Sequence, residues 1–264
     1  MRASVILIVL IGIVFLLRLR AKLALLAEQI RRLRANALEP VSYRPAPPGA
    51  IGGDLAALTA DADALGFTML GDHLEDSSLD PLRAAGGVAA RACEAGPCEH
   101  SGRAMRWFVD PAGTTFGWFA PFDAGGLRHV VVVLMSHELA AQTITSRQPP
   151  ASLLSRPPFV DMQTVPMSAS LADTLARHRK RAQLDDPERA FIPVRTFEQL
   201  TAELDRMRGK AIAWRKAQPI DELLDADLRS LLGAQYDKLS GPIRRRLVAR
   251  AGSAGPRSGA EGGA

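Results

Sequence analysis

Hydrophobic positions open the chain as a single block. Ser4 to Leu17, "SVILIVLIGIVFLL", carries no charge. Its apolar positions Val5, Ile6, Leu7, Ile8, Val9, Leu10, Ile11, Ile13, Val14, Phe15, Leu16 and Leu17 predict an uncleaved, single-pass transmembrane anchor. The block is short for a span, which needs roughly 17–25 residues, but the stems of Arg18 and Arg20 can snorkel and extend it to about Leu19. A secretory signal peptide competes, since its apolar region is roughly 7–15 residues long. Against cleavage stand Arg18, Arg20 and Lys22, where a signal peptide has small neutral residues.

Past the block, the apolar positions thin to a stripe. Leu16, Leu19, Leu23, Leu26, Ile30 and Leu33 recur at spacings of three and four, with no Gly or Pro until Pro40, so the helix is expected to continue through about residue 36. Such a seam either pairs two anchors as a short parallel coiled coil or lies against anionic headgroups with its arginines outward. From 37 to 53 Pro and Gly dominate and no period survives, which reads as a linker.

The body follows as an α+β pattern over 54–184. Asp54 is positioned to cap a helix to about Leu65, and Phe67 to Leu70 forms a short strand. Residues 75–102 are rich in Gly, Ala, Ser and acids, without period, and read as a loop insertion. Met105, Trp107 and Val109 then alternate with Arg106 and Phe108, "DPAG" at Asp110 to Gly113 supplies a turn, and Thr115 to Phe119 return as the second arm of a hairpin. "HVVVVLM", His129 to Met135, is apolar on both faces and so predicts a strand covered on both sides. The chain turns near His137 and Glu138, returns through Gln142 to Ser146, and Val160 to Val165 make a last strand of an antiparallel sheet.

Helical spacing resumes with Ser168 or Ser170 as cap and Leu171, Leu175 and His178 on one face. Over 185–240 a helical pair is expected. The first helix is opened by a capping box of Thr196 and Gln199 and ends near Ala217, and the second runs from Asp221 to about Leu239, where Gly241 and Pro242 stop it. Residues 241–264 read as a disordered tail.

Charge changes the picture through its placement. The chain's net +5 suggests a nucleic-acid protein only until it is divided. Residues 1–36 (seven basic, one acidic) and 241–264 (five basic, one acidic) together hold +10, leaving 37–240 at −5. A mildly acidic body does not suit a phosphate backbone, so no nucleic-acid partner is expected. Basic residues cluster after the apolar block rather than before it. The positive-inside rule therefore puts the body in the cytoplasm, on the inner membrane, with the N-terminus outside.

Candidate chemistry is sparse. No Gly-rich phosphate loop, H-E-x-x-H pair, nucleophile elbow or kinase signature occurs, and no cofactor is expected. In "GDHLED", Asp72, His73, Glu75 and Asp76 could hold a divalent cation or do acid/base work; the plainer reading is a polar strand exit. "RHRKR", Arg177 to Arg181, reads as the solvated, dipole-matched end of a helix. Trp107, Phe116 and Trp118 make an aromatic sheet face, which is either core or the lining of a ligand or partner site. Cys93, Cys98 and His100 offer three zinc ligands at the spacing C-x4-C-x-H. Reduced loop thiols are the leading reading for a cytoplasmic body, and a Cys93–Cys98 disulfide replaces it if the body is exported.

The order of features resembles a family of uncharacterised bacterial membrane-anchored proteins. The residues that carry the resemblance are the short anchor, "LGFTMLGD" at Leu65 to Asp72, "RWFVDPAGTTFGWF" at Arg106 to Phe119, "TSRQPP" at Thr145 to Pro150 and "LADTLARHRKR" at Leu171 to Arg181. The resemblance implies no activity, cofactor or site, and the insertion with Cys93 and Cys98 departs from it. The expectation is thus a membrane-anchored cytoplasmic binding domain that contacts lipid through its first helix and a protein partner, small apolar ligand or second copy elsewhere, without catalysis. Two alternatives stand beside it: an enzyme using Asp72, His73 and His178, and a scaffold dimerised through the Leu19–Leu33 seam.

Overall fold

The computed structural model describes residues 2–51, 55–76, 103–124, 127–147 and 154–253. Its centre is a seven-stranded sheet in simple chain order: β1 (Ser42–Pro45), β2 (Thr68–Asp76), β3 (Arg103–Val109), β4 (Phe116–Ala124), β5 (Leu127–His137), β6 (Gln142–Arg147) and β7 (Val160–Val165). Each neighbouring pair as far as β6 is antiparallel. The expected all-antiparallel sheet needs one correction: β7 lies parallel to β6, beginning opposite Gln142. Gln142 N donates to Phe159 O at 2.9 Å just before β7, which fixes that register.

Both faces of the sheet are covered. On one, Met105, Trp107, Val109, Phe116, Val131, Val133 and Met135 pack under α4 (Phe197–Ala217) through Phe197, Leu200 and Leu204. On the other, Phe108, Phe119, Val132 and Leu134 meet α2 (Ala56–Ala64) and α3 (Leu171–Ala182) through Leu55, Ala62, Leu171 and Leu175. The β-branched run of β5 is apolar on both sides for this reason. Gly117 of β4 marks the tightest point, since a Cβ there would stand 2.1 Å from Val133 O.

Local signals behave as the side chains require. Ser170 Oγ accepts from Asp173 N, and Thr196 and Gln199 form a reciprocal capping box. Asp54 lies outside the described residues; Leu55 occupies the N-cap of α2 without a side-chain bond. The turn Asp110–Gly113 needs its glycine twice over, for a φ of +77° and for the Val194 carbonyl 2.7 Å from where a Cβ would be. Val194 N in turn donates to Gly113 O at 2.8 Å, which straps the segment before α4 onto the hairpin.

A third core joins the two chain ends. α1 (Arg2–Asn36) is one unbroken helix of 35 residues. Ala27 and Ile30, with Leu23 and Leu26, pack against Leu224 and Leu228 of α5 (Ile220–Leu232) and Ile243 of α6 (Tyr236–Ser253). The seam expected to pair two anchors is therefore occupied, over Leu23–Ile30, by the chain's own C-terminal helices. The helical pair expected after 185 accordingly has a third member. A short 3₁₀ turn, Gly233–Gln235, ends α5, and α6 continues through Gly241 and Pro242, where order was expected to stop. Pro242 is the seventh residue of α6, inside the helix, where the lost hydrogen bond is offset by burial of the adjacent Ile243.

Candidate functional site

The end of β5 directs two adjacent polar side chains to opposite faces. Ser136 points toward α3 and His137 toward α4, and both are fully enclosed. Under α3, Ser136 Oγ lies 2.9 Å from His178 Nε2, and Thr145 Oγ1 lies 2.9 Å from His178 Nδ1. Ser136 gives its only proton to Thr114 O at 2.7 Å, so it must accept from Nε2–H. Nδ1 is then the bare nitrogen, accepting from Thr145, whose oxygen accepts from Gln163 Nε2 at 2.8 Å. Every donor in this line has one acceptor. Burial pushes the His178 pKa down to about 4, so the ring is neutral at pH 7.

A serine 2.9 Å from a histidine matches the spacing of a nucleophile and its base, but the proton runs the wrong way. A base must present a bare nitrogen to the hydroxyl, and here the bare nitrogen faces Thr145. Nor can a substrate arrive, because Ser136, Thr145 and His178 are buried. The line fastens α3 to β5 and β6.

Under α4, His137 Nδ1–H donates to Glu203 Oε1 at 2.9 Å, while its Nε2 is buried without a partner. Burial works against ionisation of Glu203, yet the Arg206 guanidinium and His137 outweigh it and hold the carboxyl at about 2. Arg206 also donates to Glu138 O and Leu139 O, each at 2.9 Å, which locks the turn after β5 to α4.

A third polar knot joins the helices. Asp227, fully buried on α5, accepts from Arg34 of α1 at 3.0 Å, from Arg215 of α4 at 3.4 Å and from Ser155 N at 2.9 Å. Arg208 of α4 donates to Asn36 O and Glu39 O at 2.8 and 2.6 Å, closing the carbonyl end of α1. Beside this knot a cavity of about 380 Å³ opens between Arg34, Leu38, Lys216 and Leu223.

The residues expected to act together are kept apart. A bulge between Met69 and Gly71, where Gly71 has a φ of +113°, reverses the alternation of β2. Asp72 consequently lies with Arg106, in a two-pronged pair at 2.7 and 2.8 Å, next to Thr59 of α2. His73 lies on the other face, stacked on Phe197. His178 is under α3, so Asp72, His73 and His178 share no cleft. Trp107 and Phe116, expected as ligand-facing, are 1% and 0% exposed beneath α4, while Trp118 is partly buried at its edge. That aromatic face is core because Phe197, Leu200 and Leu204 cover it.

Cys93, Cys98 and His100 lie outside the described residues, and among the described residues no group of three or more His, Cys, Asp and Glu side chains could hold a metal. Of the anchor residues, Val5, Ile6, Leu7, Ile8, Val9, Leu10, Ile11, Ile13 and Phe15 have side chains outside the description, whereas Val14, Leu16 and Leu17 are exposed. Among the described residues no helix is long and apolar enough to cross a membrane. Around "RHRKR", Arg179 and Arg181 pair with Asp185 and Asp161 at the exposed end of α3.

Sequence reasoning missed Asp227, Arg215 and Arg34. A signal was present: Leu224, Asp227, Leu228 and Leu231 stand at i, i+3, i+4 and i+7, so an acid interrupts an apolar stripe and needs a cation. Comparison with protein-family models, curated proteins and solved structures returns no match to this chain.

Proposed function

We propose that the protein is a membrane-anchored binding module, in which α1 is at once the anchor and a structural member of the body. The observation that carries this reading is the split along α1. Val14, Leu16, Leu17 and Leu19 are exposed at the end that continues the apolar block, while Ala27 and Ile30 are buried against α5 and α6. Leaving large apolar side chains in water is unfavourable by roughly 1.5–3 kcal/mol each relative to burial, and a bilayer removes that cost. Because the helix is unbroken from Arg2 to Asn36, the body is held at a fixed distance from the membrane rather than tethered by a loose linker. Among the described residues no cleft gathers Asp72, His73 and His178, which favours recognition over catalysis. With both sheet faces covered, a protein partner would meet the outer helices and the sheet edges.

Alkaline carbonate extraction of membranes carrying the full chain tests the anchor. Retention in the pellet is expected, with a fluorescent-protein fusion to the C-terminus bright because the body is cytoplasmic. Release of the chain into the supernatant would remove the reading.

A further inference from the structure

Arg20 and Arg246 lie 226 positions apart in the chain, yet Arg246 Nη2 donates to Arg20 O at 3.5 Å. From that contact α6 runs antiparallel to α1. Moving back along α6, Ile243, Leu239 and Tyr236 enter the cluster that Leu23, Leu26, Ala27 and Ile30 form progressively further from the apolar block. With a rise of about 1.5 Å per residue on both helices, Val248 stands level with about residue 18 and Ser253 with about residue 13. The last turns of α6 therefore reach the height at which the apolar block begins.

The charges at that height are of one sign. Arg18, Arg20, Lys22 and Arg245 are exposed and Arg246 is half-buried, and none of the five pairs with a carboxylate among the described residues. No acid occurs between residues 2 and 27 or between 238 and 253. Farther into the body the pattern reverses: Arg31 and Arg32 pair with Glu28, and Arg229 and Arg244 with Asp225. Cations without a carboxylate partner are thus concentrated at one end of the α1/α6 pair, with Lys238 alone at the far end of α6 among the described residues. Exposed Leu16, Leu17, Leu19 and Val248 are interleaved with them.

We propose that Arg18, Arg20, Lys22, Arg245 and Arg246 form one collar that takes the acidic headgroups of an anionic phospholipid surface, with α6 as a second membrane-contacting element. The collar rests on the anchor reading above, because the apolar block must be inserted for these side chains to stand at headgroup depth. Charge complementarity fits an anionic lipid, and the interleaved apolar residues favour a bilayer interface over a nucleic-acid backbone. The two chain ends, whose positive charge looked unconnected, then serve one surface.

The test uses the full chain in nanodiscs of phosphatidylcholine alone or mixed with phosphatidylglycerol, read by hydrogen exchange over 245–253. Exchange is expected to slow by about fivefold or more in the acidic discs, the effect of a favourable contact for even one basic side chain. High salt should erase the difference. Arg245→Gln, which removes an exposed side chain, should reduce it, and Arg18→Gln with Lys22→Gln on the other helix should reduce it as well, with exchange in the sheet unchanged as proof of folding. Equal exchange in both discs, with the chain retained, would overturn the collar and leave the anchor standing. Failure to enter either disc, together with release by carbonate, would overturn both. Protection by duplex DNA but not by phosphatidylglycerol would reassign the collar to nucleic acid.

Discussion

His178 and Asp227 are both fully buried, one under α3 against the sheet and the other between α1, α4 and α5. The first is a neutral ring whose two nitrogens each meet one hydroxyl. The second is a carboxylate set between two guanidiniums and a serine. A neutral group needs only matched donors and acceptors, which β5 and β6 supply within the sheet layer. A charge needs countercharges, and these come from elements far apart in sequence: Arg34 and Asp227 are separated by 193 positions. The neutral line therefore fastens one helix to the sheet, whereas the charged knot decides whether the N-terminal helix belongs to the body at all.

The largest effect is expected at Asp227. Asp227→Asn leaves Arg34 and Arg215 facing each other without a countercharge, and such a loss costs about 3–5 kcal/mol. Urea unfolding should show it, and limited proteolysis should cleave between α1 and β1 far faster than in the wild type. Replacing the whole knot, Arg34→Met with Arg215→Met and Asp227→Leu, should recover most of the loss, because apolar groups of similar volume need no partners. If the single and triple variants are equally unstable, packing rather than charge holds the junction. His178→Phe is expected to cost less, about 2–3 kcal/mol, since it strands two buried hydroxyls but no charge, and to leave the α1 cleavage rate unchanged.

What could be read in advance followed how local each determinant is. The Thr196–Gln199 box, the hairpin around Asp110–Gly113 and the strand Val160–Val165 depend on neighbours within a few residues, and each was legible, as was the cap of α3 to within the choice of Ser168 or Ser170. The parallel placement of β7 was not, because it depends on where the chain re-enters after residues 148–159. Alternation alone puts Asp72 and His73 on opposite faces, but which of them meets α4 turns on a one-residue bulge at Leu70, and nothing in "TMLGD" announces which residue is extra. The continuation of α6 past Gly241 and Pro242 contradicts local propensity and is sustained only by Ile243 packing on α1. The apolar seam of α1 was visible, but a periodic stripe does not say whether a lipid, a second copy or the same chain covers it. The buried roles of Ser136 and Glu203 left no mark, since one polar residue in a strand or helix looks like any other.

Acid should separate the two knots further. The folded-state pKa of His178 is depressed to about 4 against about 6.5 in the unfolded chain, so the unfolded state binds the extra proton as pH falls. Stability is full above about 6.5 and is lost progressively down to about 4. Between pH 7 and pH 5 this single ring removes about 2 kcal/mol. His137, also lowered by burial, has the same sign, and Glu203, held at about 2, adds its loss only below its unfolded value near 4.5. Urea midpoints at pH 7 and pH 5 should therefore differ clearly in the wild type and much less in His178→Phe. An unchanged slope in that variant would mean that the proton is taken up elsewhere.

The smallest effect falls on the helix that serves both sides of the comparison. α4 presents Glu203 to His137 near its start and Arg215 to Asp227 near its end. Thr196→Ala removes the side-chain half of its capping box and should cost about 1 kcal/mol. The loss should be local: amides of the first turn, Phe197 to Leu200, exchange faster, while those around Arg215 and Asp227 keep wild-type rates. If the amides around Asp227 accelerate equally, α4 transmits disorder along its whole length, and the sheet layer and the helical junction form one cooperative unit. If they do not, the junction that holds α1 is stabilised independently of the sheet, and the body can loosen at one end while remaining fixed to its N-terminal helix.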